Sequence, residues 1–394
     1  MKKSSIILTG AIAFMATLVL VGCQSGGKSS SVSASSVLHG AQTRKVTAAT
    51  FNNNGFRLIE KRQIAAVDGT AYILEHVQSG AHVYYVANDD KNLSFDITVS
   101  TPPENDNGAN HVLEHICLAS TKSYPGKEVF NGAANTTINT YMNAATSNTY
   151  IEFPFATTDQ RQYQALADYY LSAVFEPSLE EFAFMREGWR YEMADENSPL
   201  TINGIVYNEM KGANANILRV ASKAVTETLF CDTLVKNDYA GDPENIPSLS
   251  GEQLKAYHQK YFVPCNTIIG IYGDVEIESF LEFLNGKWLS RYHKTGDLAR
   301  IEQQKPFEKS KYIFRQLPVS ANTPTAGKSA ISKGYALTGI NDKDLPVMQL
   351  ALRILNNQNS PLIKSLNKSR VADSYSVFAN IASVPFLSVI SFGG

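Results

Sequence analysis

The chain has 394 residues, 44% hydrophobic and 18% charged, with 35 Lys+Arg against 37 Asp+Glu and a formal net charge of −2. This is an ordinary globular mix, long enough for two to three domains and a sizeable core. It excludes collagen-like, disulfide-scaffold and multi-span membrane classes, and the lack of a basic excess argues against nucleic acid as the main partner.

Residues 1–23 read as an address. Lys2 and Lys3 form a positive start, and Ile6 to Val21 is an apolar run of 16 residues, short for a membrane span. Leu20-Val21-Gly22-Cys23 resembles the bacterial lipobox, in which cleavage precedes a lipidated cysteine. The segmentation expected is a signal peptide over 1–22 and a Ser/Gly tether over 23–48. Cys23 is the lipidation site, and the chain is anchored to a membrane in a bacterial cell envelope, outside the cytoplasm. The other cysteines, Cys117, Cys231 and Cys265, form no CxxC pair and read as buried free thiols.

From Phe56 the pattern is globular. Residues 71–76 and 81–86 read as a hairpin turning at Gln78-Ser79-Gly80, and 93–99 as a third strand with period-two alternation. A helix is expected over 108–119, then a polar loop over 120–135, and a strand pair within 137–155. Helices follow at 158–175 and near 179–187, short strand-like pieces flank Asn197-Ser198-Pro199, and helix returns at 206–215. A helix at 250–260, a strand at 267–273 and a helix at 277–289 close a domain over 49–290. Residues 291–325 read as a connector with one strand at 311–315. A second β-then-α pattern fills 326–394, with a helix over 342–356. Strands mixed with long helices indicate an α+β fold: an antiparallel-rich sheet packed by helices.

The chemistry concentrates in His111-Val112-Leu113-Glu114-His115. At about 100° per residue, the two histidines lie roughly 40° apart on a helix, with Glu114 roughly 60° to the other side of His111. Two imidazoles one turn apart can hold Zn²⁺ and the carboxylate can act as general base, the H-x-x-E-H order. Such a site needs one more protein ligand. Cys117 is an alternative on paper but lies roughly 200° from His115, on the wrong face. A solvated helix with two ordinary histidines is opposed by apolar Val112, Leu113, Ile116 and Leu118. Gly327-Lys328-Ser329 ends like a phosphate-binding loop, but the earlier glycine position is Asn322 and a strand follows.

Together with the segments at 122–125, 135–154 and 204–213, and with Arg186-Glu187-Gly188-Trp189, the zinc-helix motif resembles the pitrilysin/insulinase family of zinc metallopeptidases, in its presequence-protease branch. The resemblance implies Zn²⁺ held by His111, His115 and Glu209, and Glu114 deprotonating the water that attacks a peptide carbonyl. It further implies an exposed edge strand at Thr140 to Ala144, with Asn143 and Ala144 touching an extended peptide substrate. Glu187 reads as a helix-surface carboxylate, with support of a metal ligand as the alternative.

Relatives in that branch have four homologous domains in two halves, and the pattern here reaches into an incomplete second domain ending on an apolar strand; a partial domain leaves an unpaired edge. Three organisations are therefore open. The sequence is a piece of a longer peptidase, a short subunit completed by a second chain, or a non-catalytic zinc- or peptide-binding lipoprotein. Glu114 disfavours the third, because a binding module needs no general base.

Overall fold

The computed structural model describes residues 46–393 apart from 298, 300–301, 303, 327, 337–343, 371–373 and 381–385. The leader, Cys23 and the tether as far as residue 45 lie outside the described residues, while the expected end of the tether is corrected: Val46 packs on the core and Ala48 already starts a helix. The chain order begins α1 (Ala48–Asn52), β1 (Phe56–Ile64), β2 (Gly69–His76), β3 (His82–Ala87), β4 (Leu93–Ser100) and α2 (Ala109–Ala119). Next come α3 (Val129–Thr136), β5 (Tyr141–Met142), β6 (Ala145–Thr146), β7 (Tyr150–Thr157), α4 (Gln160–Phe175) and α5 (Glu181–Glu187). Then follow β8 (Arg190–Glu192), β9 (Thr201–Asn203), α6 (Ile205–Ala213), α7 (Ile217–Leu229), α8 (Gly251–Tyr261), β10 (Thr267–Tyr272) and α9 (Ile277–Phe283). The last elements are β11 (Ser329–Ala336), α10 (Asp344–Leu355), α11 (Pro361–Ser369), β12 (Ser374–Asn380) and β13 (Phe386–Gly393).

The large sheet runs β1-β2-β3-β10-β4-β7-β5, with β6 also paired to β7. All its neighbours are antiparallel except β10 and β3. Its odd-numbered face carries Phe95, Ile97, Val99, Ile151, Phe153 and Phe155, all fully buried. Alternation along β4 and β7 aims these side chains at one layer, and α4 packs over them. Phe155 sits 5.5 Å, ring to ring, from Tyr163 of α4. Truncating such a ring to alanine costs about 3–5 kcal/mol. Asp159 starts α4 by accepting hydrogen bonds from the backbone N–H groups of Arg161 and Gln162. Asp168, buried on α4, accepts from Trp288 Nε1 (2.9 Å), Lys287 Nζ (2.7 Å) and the Tyr124 hydroxyl (2.7 Å). Those bonds satisfy a carboxylate that would otherwise be expensive to bury.

The expected α+β architecture is therefore present, and several local expectations are corrected. The polar loop after α2 contains α3, whose Val129, Phe130 and Ala133 pack on the core and override its Gly and Asn content. α7 was not expected from sequence. Its β-branched residues mask a strongly amphipathic helix, capped by Asn216 accepting from Leu218 N–H at 2.9 Å. The helix at 277–289 ends early, widening into a π turn over Leu284–Trp288. Residues 311–315 form no strand, and Tyr312 and Phe314 are exposed without a sheet partner. Cys117 and Cys265 are buried free thiols, but Cys231 is half-buried. The last strand, β13, lies between β11 and β12 and pairs antiparallel with both, so that β11 and β12 are the edges of this second sheet.

Candidate metal centre

The centre is assembled on α2. Its first residue follows Gly108, which has φ = 70°, and a Cβ there would meet Gly241 Cα at 3.0 Å. Gly241 (φ = 91°) would meet Gly108 Cα at 2.9 Å in return. Only glycines allow this approach, and it brings the 238–242 loop against the start of α2. The carbonyl of Ala240 there accepts a hydrogen bond from His111 Nδ1 at 2.9 Å.

One turn later, His115 Nδ1 donates to Glu187 Oε2 at 3.1 Å. Both acceptors are oxygens without a proton, so each imidazole carries a hydrogen on Nδ1, and its neutral form presents a bare Nε2 lone pair. The two Nε2 atoms face one carboxylate oxygen of Glu209, on α6, at 3.7 Å and 3.8 Å. The ligand atoms of His111, His115 and Glu209 all lie within 4.8 Å of one another. Donors around a tetrahedral Zn²⁺ at about 2.0–2.1 Å would be about 3.4 Å apart, so the donor set and spacing fit that ion. His111 is buried, His115 half-buried and Glu209 exposed, which leaves one side open.

Glu114 points from the same helix and accepts a hydrogen bond from Thr146 Oγ1 at 2.7 Å. Thr146 belongs to β6, so the strand cluster after α3 holds this carboxylate directly. β5 is the last strand of the sheet. Asn143, exposed, and Ala144, half-buried, follow it. Asn143 N–H donates to the Pro154 carbonyl at 3.1 Å and its carbonyl accepts from the Tyr170 hydroxyl at 3.2 Å, which fixes that stretch against β7 and α4.

The expectation that Glu187 is a surface carboxylate is wrong. It is 6% exposed, and the chain just after it is closely approached: a Cβ on Gly204 would overlap the Gly188 carbonyl. Burial alone would raise its pKa, but the His115 hydrogen bond and the Arg186 guanidinium at 2.8 Å hold it below the usual range. Burial would depress His115. The Glu187 hydrogen bond and the charges of Glu114, Glu187 and Glu209 outweigh it and raise the imidazole. Glu187 stood in a segment that carried the family resemblance, the one available signal. Thr146 had no distinguishing spacing, and the Ala240 carbonyl is backbone, invisible to residue type.

Deeper in the sheet, two carboxyl groups share a face of β4 and β7. Burial pushes Asp96 up to about 7, against the hydrogen bonds of Thr98 and two backbone groups. Burial, then the charges of Asp96 and Glu114, pushes Glu152 to about 8.

Two family models match the chain. One is described as insulinase (peptidase family M16) over residues 99–224, the other as a peptidase M16 inactive domain over 248–393. The chain belongs to the insulinase/pitrilysin family of peptidases, in its presequence-protease branch. It is 31% identical to the mouse protein named presequence protease, mitochondrial, over 82% of this chain and 32% of that one. It is likewise 31% identical to Protein HypA of Clostridium perfringens, over 79% of this chain and 33% of that one. It thus spans about a third of the length of these curated relatives. Pitrilysin's crystal structure shares the fold at 16% identity and a TM-score of 0.60, over 86% of this chain and 36% of pitrilysin. A protease from Helicobacter pylori does so at 15% identity and a TM-score of 0.58, over 85% of this chain and 75% of that one.

The relatives correct the expected location. The mouse, Xenopus and zebrafish proteins that match the folded part are named mitochondrial, not envelope lipoproteins. Among the described residues no helix is long and apolar enough to cross a membrane. The bacterial envelope placement rested on a short leader that lies apart from the matched fold, and it is withdrawn.

Proposed function

We propose that this chain carries the catalytic centre of a zinc endopeptidase. The observation that carries the reading is the convergence of His111 Nε2, His115 Nε2 and the Glu209 carboxylate on one point, with Glu114 alongside on the same helix. These three residues would hold Zn²⁺, which when bound supplies Lewis acidity toward a peptide carbonyl and makes water easier to ionise.

The remaining work falls to this chain's own groups. Glu114 takes a proton from the attacking water and is held in place by Thr146. The open edge of β5 and the stretch after it, with the Asn143 side chain and Ala144, receive an extended peptide mainly through main-chain hydrogen bonds, which gives weak dependence on its sequence. The relatives' names support peptides of the presequence kind as the substrate class. Because those relatives are about three times as long, the reading includes a further stretch or a second chain that completes the substrate chamber.

Glu114→Gln tests it. The variant should keep about one zinc per chain, as three ligands require, and lose hydrolysis of a quenched peptide in the complete assembly. Unchanged turnover would remove Glu114 from the reaction, and absence of stoichiometric zinc in the parent protein would remove the metal.

A further inference from the structure

The hydrogen bond from His111 Nδ1 to Ala240 ends on a loop that has its own anchors. Asp238 Oδ1 accepts from Ala240 N–H at 3.1 Å, inside the same turn. Asp238 is 7% exposed, and two cations from α7 reach it: Arg219 at 3.4 Å and Lys223 Nζ at 3.2 Å. Lys223 Nζ also pairs with Asp242, at the far end of the loop, at 2.5 Å. One ammonium therefore bridges both sides of the residue whose carbonyl orients a metal ligand. The loop base is tied further by Asp106, whose side chain accepts from Asp238 N–H at 2.7 Å and whose carbonyl accepts from Asp242 N–H at 2.8 Å.

α7 has a second attachment. Arg219 and Lys223 are four apart and share one face, and Val225 lies about 200° round from Lys223. That opposite face, with Val225 and Leu229, packs on β11. A Cβ on Gly334 of β11 would overlap Val225 Cγ1 and stand 2.8 Å from Leu229 Cδ1. Ala336, two residues along the strand, packs in the same small cluster as Leu229, Phe230 and Val235.

We propose that α7 is a strut joining β11 to the metal centre, with Lys223 and Arg219 as positioning residues that hold the Ala240 carbonyl on His111. The inference rests on the metal-centre reading above. It means that the second sheet, although remote in sequence, sets the direction of one imidazole. A displacement of β11 moves α7, α7 moves the two aspartates, and their loop tilts His111. Packed elements transmit such shifts because close-packed contacts resist compression.

Co²⁺ binding to the whole chain, followed by visible absorption with far-UV circular dichroism as the folding control, tests this without relying on activity. The parent chain should bind one Co²⁺. Lys223→Met should bind it at least tenfold more weakly, with altered visible bands, and Lys223→Arg should restore both. From the other end, Gly334→Ala should alter the same bands, and adding Val225→Ala should relieve the overlap and recover them. Parent-like affinity and bands in Lys223→Met would overturn the positioning role. Unaltered bands in Gly334→Ala would overturn the coupling to β11. Failure of the parent chain to bind Co²⁺ would overturn the metal reading and this inference with it.

Discussion

Glu187 Oε2 lies 3.1 Å from His115 Nδ1, across 72 residues of sequence, and is among the most buried carboxylates of the chain. It holds the proton of one imidazole nitrogen so that the other is free to bind metal. Glu187→Gln keeps an acceptor oxygen but removes the charge, and Glu187→Ala removes both. Metal affinity should fall about 10–100-fold in the alanine variant and less in the glutamine variant, by competition with a chelating dye. Equal affinity in all three proteins would show the contact to be incidental.

Thr146→Val removes the hydroxyl that donates to Glu114 while keeping the shape of β6. A lost hydrogen bond to a charged group is worth about 1.5–3 kcal/mol, so peptide turnover in the complete assembly should fall about tenfold or more. Zinc content should stay unchanged, since no ligand is touched. A parallel loss of zinc would mean that β6 supports the whole centre and not Glu114 alone.

Asp96 gives the fold a pH dependence of definite sign. The folded chain keeps this proton up to about pH 7, whereas the unfolded chain releases it near the ordinary aspartate value of about 4. Between those limits the folded state binds more protons, so this group lowers stability as pH rises. Asp96→Asn should therefore raise the melting temperature more at pH 8 than at pH 4. An equal shift at both values would show that Asp96 is already ionised in the folded protein.

Gly241→Ala should be costly twice. The backbone there has φ = 91°, and the new methyl carbon would meet Gly108 Cα at 2.9 Å. Strain of this kind is worth about 1–3 kcal/mol, read as a lower denaturant midpoint. The loop would also lift from α2, so metal affinity should drop. A change in stability with unchanged affinity would separate the two effects.

Much of the first sheet was legible because its signals are local. The hairpin at Gln78-Ser79-Gly80, the alternation of 93–99 and the H-x-x-E-H spacing each depend on a handful of adjacent residues. α7 was not legible, since its Val and Thr residues favour strand locally and its helix pays off only through packing on β11 and the 238–242 loop. β10 was read as a strand, but nothing near it in sequence says that it inserts between β3 and β4, running parallel to one and antiparallel to the other.

The sequence by itself determined the histidine pair on which the proposed metal centre rests. His111 and His115 are one helical turn apart, and helix geometry alone brings them to one face. It also carried the family resemblance that pointed to Glu209. Only the tertiary structure decided how those side chains are aimed. The acceptors for their Nδ1 protons are Glu187, 72 residues away, and the backbone of Ala240, 129 residues from His111. Such pairings are set by how α5, α7 and two facing glycines pack around α2. A carbonyl oxygen is common to every residue, so no residue type announces it.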